Sequence, residues 1–114
     1  MPMSDRDRMI HMLDYAEKTA GIARNRRREE LEQDTTLLFA LLHGVQTVGE
    51  AAAAVSEQGR LAYPTVRWRQ IISMRNRLVH GYDSVNCDIL WETVQTHVPE
   101  LIEELLKFIP PEQT

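Results

Sequence analysis

The segment from Asp34 to Ala54, DTTLLFALLHGVQTVGEAAAA, repeats apolar residues every three or four positions and contains no proline. At about 100° per residue Leu37, Leu38, Leu41, Val45 and Val48 gather on one face, and such a stripe must be buried against other elements. Asp34 is a good N-cap, so the pattern predicts a long central helix running through Ala51 to Ala54 and stopping near Gly59.

The same period recurs on both sides. Ser4 followed by Asp7 reads as an N-cap with an acidic first turn, and Met9, Met12, Leu13, Ala16 and Ala20 carry a first helix to Gly21. Pro64 holds Tyr63 extended, Thr65 can cap, and a helix starting near Trp68 runs to Gly81, which suits a C-cap. Beyond the turn DSVNCD, the apolar series from Ile89 to Ile109 marks a last helix interrupted or kinked at Pro99. No strand pattern and no repeat emerges. The expected fold is all-α: a single domain over 1–114, an up-and-down bundle of four or five helices, with 110–114 a short flexible tail. A chain of 114 residues suits one core, burying roughly two thirds of the surface that its unfolded form exposes.

No run of eighteen apolar residues occurs, and the N-terminus MPMSDRDRMI lacks the apolar stretch of a signal peptide. The expectation is therefore a cytoplasmic protein with no membrane partner. Cys87 is the only cysteine; it excludes an internal disulfide and reads as a small buried apolar residue rather than a nucleophile. His11, His43 and His97 sit on separate helices without metal-ligand spacing, and no glycine-rich phosphate loop appears, so neither metal nor cofactor is expected. The segment ARNRRREELEQD is too polar for a core and reads as a turn or short exposed helix, with Arg24 to Arg28 meeting Glu29, Glu30 and Glu32. Glu103 and Glu104 read as a solvated face.

A net charge of −4 argues against binding nucleic acid by overall attraction. The distribution says something different. Five arginines and no acid lie between Arg60 and Tyr82, whereas seven acids face Lys107 alone from Asp83 onward. Eleven of the thirteen basic residues are arginine, whose planar fork matches phosphate bidentately.

Within that cationic segment one residue stands out. On a helical wheel Trp68, Ile71, Ile72, Leu78, Val79 and Tyr82 share a face, and Arg75 falls in its middle. An unpaired guanidinium is costly to bury. On the residues alone, Arg75 can pair with a carboxylate of another helix, Glu50 being the obvious one. Arg69, Ser73, Asn76 and His80 lie at the polar margin, and Asn76 and His80, at i and i+4, would be neighbours. Arg75 and His80 are about 140° apart on that wheel, so they converge only across an interface or because the helix ends at Gly81.

The stretch RNRLVHGY, Arg75 to Tyr82, resembles the Arg-x4-His-x-Tyr motif of HEPN domains, and in particular of HepT-like toxins of bacterial and archaeal toxin–antitoxin pairs. The resemblance extends through HMLDYAE, VGEAA, YPTVRWRQIISMRNRLVHGY and ILWETVQTHVPELIEEL, in family order over nearly the whole chain. Two departures occur: His43 and Gly44 replace a common Arg-Asn pair, and Asp83 stands where an aromatic residue is usual. The resemblance implies a homodimer built on the motif helices and a metal-independent endoribonuclease acting on RNA. Arg75 and His80 would be catalytic, Asn76 would orient His80 or bind phosphate, and Arg69 and Arg77 would hold the RNA backbone. It also implies a nucleotidyltransferase antitoxin of the HEPN/MNT type that silences the toxin by attaching AMP to Tyr82; otherwise Tyr82 is an amphipathic cap of the stripe. Two other readings are a non-catalytic HEPN module that partners a nucleotidyltransferase, and an acidic regulator that binds protein through Asp83 to Thr114.

Overall fold

The computed structural model describes residues 3–80 and 84–110, the side chains of Arg75, Val79 and His80 excepted. Its elements are α1 (Asp5–Ala23), α2 (Glu30–Gln33), α3 (Thr35–Ala54), α4 (Glu57–Ala62), α5 (Trp68–Leu78), β1 (Val79–His80), β2 (Ser84–Val85), α6 (Cys87–Glu92) and α7 (Val98–Leu106). A π-helical turn, Thr93–His97, joins α6 to α7, so that 87–106 form one interrupted rod. The architecture is all-α, as the apolar spacing predicts.

Local chemistry sets the helix starts. Ser4 accepts from the Asp7 N–H and Asp7 accepts from the Ser4 N–H, a reciprocal capping box that opens α1. Asp34 accepts from the Leu37 N–H and opens α3. That helix ends at Ala54 rather than near Gly59, because Ser56 caps a separate short helix by accepting from the Gly59 N–H. Arg60 of α4 reaches back to the Val55 and Ala53 carbonyls at 3.1 and 3.3 Å, which satisfies the C-terminal end of α3. Asp5 binds the N–H and hydroxyl of Ser56 at 2.9 and 2.5 Å, tying the start of α1 to the end of α3. The two long helices therefore run antiparallel.

The core lies where α1 packs on α3 and α7, and α3 packs on α5. Met12, Ala16, Leu41, Ala52, Leu78, Leu90 and Leu105 are fully enclosed in it. By length and composition α3 could cross a membrane, but Leu37, Leu41, Gly44, Val45, Val48, Gly49 and Ala52 are buried within this bundle. Gly44 has to be small: a Cβ there would collide with Thr19 Oγ1, which is held in place by donating to the Tyr15 carbonyl at 2.6 Å.

The arginine-rich loop is a salt-bridged surface. Arg26 meets Asp34 at 2.8 Å and Arg28 meets both Glu32 and Asp88 at 2.6 Å, the last pair fastening the loop to α6. Its polarity conceals Leu31, which is buried in the core. At the other end Ile109 is buried and the Tyr63 and Phe108 rings meet at 4.5 Å, while 111–114, most of the expected tail, fall outside the described residues.

Hydrogen bonds from Ser56 hold the Asp5 carboxyl below its usual range, those from Ser4 do the same for Asp7, and Lys107 does so for Glu104. A carboxylate depressed in the folded state contributes stability that is complete above its unfolded pKa of about 4 and is lost as the pH falls through the folded value. Thermal melts followed by circular dichroism should hold level from neutral pH to about 5 and fall below about 4. Asp5→Asn should flatten part of that acid limb; an unchanged acid limb would remove Asp5 from the account.

Candidate functional site

Three anchors position α5. Trp68, Met74 and Leu78 are buried on its inner face, and the Trp68 indole N–H donates to the Tyr63 carbonyl at 3.0 Å. Thr93 Oγ1 lies 2.8 Å from Met74 Sδ, which seats the helix against the π-helical turn. α3 packs against α5 at Gly49, where a Cβ would stand in ordinary contact, 3.4 Å from the Ile71 carbonyl oxygen. The sequence stripe omitted Met74, although its place three residues after Ile71 was signal enough.

The helix stops at Leu78, three residues short of Gly81. The Asn86 N–H donates to the Leu78 carbonyl at 2.8 Å, and Asn86 Oδ1 accepts from the Ile89 N–H at 3.0 Å. One residue thus closes α5 and opens α6. Between them Val79 pairs with Val85 and His80 with Ser84 in an antiparallel ribbon, where the sequence showed no strand.

This changes the geometry of the motif. Arg75 is on a packed helix and His80 on a two-residue strand, so the 140° wheel separation does not apply, and neither does the i, i+4 relation of Asn76 to His80. The helix ends before His80 rather than at Gly81. The side chains of Arg75 and His80, and with them the pairing of Arg75 with Glu50, lie outside the described residues. So do Gly81, Tyr82 and Asp83.

The supporting residues are placed. Arg69, Asn76 and Arg77 are exposed on the outer side of α5, with half-buried Ser73 between them donating to the Gln70 carbonyl at 3.3 Å. Among the described residues no carboxylate pairs with Arg69 or Arg77, in contrast to Arg26 and Arg28. Cys87 is half-buried, and burial and then the Glu32 charge push its thiol up, so it is a poor nucleophile at neutral pH.

Comparisons with known proteins identify the family. The profile of the family described as Ribonuclease HepT-like matches residues 12–108. A Methanocaldococcus jannaschii protein provisionally named as an RNase is 26% identical over 110 residues, covering 96% of this chain and 91% of its own. One from Caldanaerobacter subterraneus, named in the same way, is 31% identical over 85 residues, 75% of this chain and 76% of its own. A Thermococcus cleftensis protein provisionally named ribonuclease HepT is 30% identical over 73 residues, 64% of this chain and 66% of its own. No solved structure matches the chain. With the family profile spanning most of its length, the chain belongs to the HepT-like ribonuclease family.

Proposed function

We propose that the chain is a ribonuclease toxin that cleaves RNA without a metal at a cleft shared by two copies. The observation that carries this reading is the outer side of α5, where Arg69, Asn76 and Arg77 stand exposed beside the Arg75–His80 motif, and neither Arg69 nor Arg77 has an acidic partner among the described residues. Arginines without internal partners keep their donors for phosphate. The RNase names of the relatives support the same activity.

Cleavage requires removal of the 2′-hydroxyl proton, protonation of the leaving oxygen and cation density on the phosphorane. His80 moves the proton, an effect of order 10² to 10⁴ in rate. Arg75 stabilises the phosphorane charge. Asn76 orients the His80 ring or binds phosphate. Arg69 and Arg77 hold the backbone through contacts that weaken with salt. Dimerisation through α5 brings two copies of each group to one cleft, and the half-buried Ile71 and Ile72 on that helix are apolar surface that a second copy would cover.

Purified chain should sediment as a dimer at micromolar concentration and cut single-stranded RNA in the presence of EDTA. Arg75→Ala and His80→Ala should each lower the rate by at least about 10² with an unchanged melting temperature. Wild-type cleavage by His80→Ala would place proton transfer elsewhere.

The partner in this reading is a nucleotidyltransferase antitoxin. The Tyr82 phenol oxygen attacks the α-phosphorus of ATP, pyrophosphate leaves, and the AMP attached to Tyr82 sets an anion against the cationic cleft. Intact-mass and peptide spectra of the chain co-expressed with its antitoxin should show one or more AMP units on Tyr82, and Tyr82→Phe should stay toxic. An unmodified Tyr82 in the neutralised complex would leave masking of the cleft by tight binding as the mechanism.

A further inference from the structure

From Ser84 to Ile89 no side chain is fully buried, and the first core residue after the ribbon is Leu90. Polar contacts therefore set the course of this segment. Val79 pairs with Val85 and His80 with Ser84, and the Asn86 N–H ties the second strand to the end of α5. These contacts are local to α5 and the ribbon. One contact arrives from elsewhere: Asp88, two residues after Asn86, accepts from Arg28 Nε at 2.6 Å across 60 residues of chain. Among the described residues it is the one side-chain hydrogen bond between the arginine-rich loop and the chain that follows the motif.

Arg28 is itself held firmly. Its Nη1 donates to Glu32 Oε1 at 2.6 Å, so two carboxylates grip one guanidinium. The loop around it is fixed in turn: the Arg27 N–H donates to the Glu30 carboxylate at 2.6 Å, Arg26 meets Asp34 at 2.8 Å, and Leu31 is buried in the core. A charged group already ordered by its neighbours loses little freedom on meeting Asp88, which makes the link stronger than an isolated surface pair. With Nε and Nη1 committed to carboxylates, Arg28 also has fewer donors for phosphate than Arg69 or Arg77. We propose that Arg28 is a positioning residue: through Asp88 it holds the start of α6, and with it Asn86 and the strand that pairs with His80, in the place that cleavage requires. The role rests on the ribonuclease reading and adds to it a residue outside the motif.

Arg28→Gln and Asp88→Asn test it, because they change the charge in opposite directions. If Arg28 held RNA, loss of the arginine would raise KM and loss of the acid would lower it. A strut predicts instead that each variant lowers kcat about threefold to fivefold, with KM near the wild-type value. Arg28→Glu combined with Asp88→Arg should recover most of the rate that either change loses alone. The Asp88 side chain is 79% exposed, so its replacement leaves the core intact. Hydrogen exchange gives a readout that does not need cleavage: the Asn86 amide, bonded to the Leu78 carbonyl, should exchange about threefold faster in both single variants, while the Leu41 amide of the core keeps its protection. Unchanged Asn86 exchange in both variants would overturn the proposal, as would faster cleavage by Asp88→Asn beside a raised KM in Arg28→Gln. A wild type that cuts no RNA would overturn the ribonuclease reading instead, and the exchange rates would then decide the strut alone.

Discussion

The hydrogen bond from the Asn86 N–H to the Leu78 carbonyl governs the geometry of everything around the motif. It ends α5 one turn earlier than helix propensity alone would, and it starts α6 through the Asn86 side chain. Between those two helices lies a short ribbon, which places His80 on a strand rather than on the helix that carries Arg75. One half of the motif thus inherits the rigidity of a packed helix, held by Trp68, Met74 and Leu78. The other half sits on a two-residue strand paired with Ser84 and Val85.

Much of this was legible in the residues. Ser4 with Asp7 and Asp34 before a polar first turn announce α1 and α3, because a cap is a local interaction between a side chain and the next few N–H groups. Ser56 carried the same signal for α4, but the small residues after Ala51 blurred the end of α3 into it. The end of α5 was not legible. Gly81 advertises a C-cap, whereas the actual stop depends on Asn86, eight residues downstream, and on a two-residue strand too short to show alternation. The π-helical turn is similar: Pro99 marks a fault, since it has no N–H for the Gln95 carbonyl, but the displaced bonding is taken up upstream, where the Val98 N–H reaches Thr93.

Ion pairing divides the arginines of this chain into two groups. Arg26, Arg28 and Arg60 are committed to carboxylates or to the carbonyl end of α3, and they knit loops to helices. Arg69 and Arg77 have no such duty among the described residues, and neither has the exposed Arg67 just before α5. Arg75, which the wheel singled out, retains the role implied by the family motif in the proposed mechanism.

Its central claim is that the chain cuts RNA by attack of the neighbouring 2′-hydroxyl, with Arg75 and His80 in place of a metal. The chemistry of the cut end tests it most directly. Mass spectrometry of a short RNA of defined sequence, cut by the purified protein in EDTA, should find a 2′,3′-cyclic phosphate or the phosphate that its hydrolysis leaves, opposite a 5′-hydroxyl. A 3′-hydroxyl opposite a 5′-phosphate would contradict the account, because it requires water rather than the ribose as nucleophile.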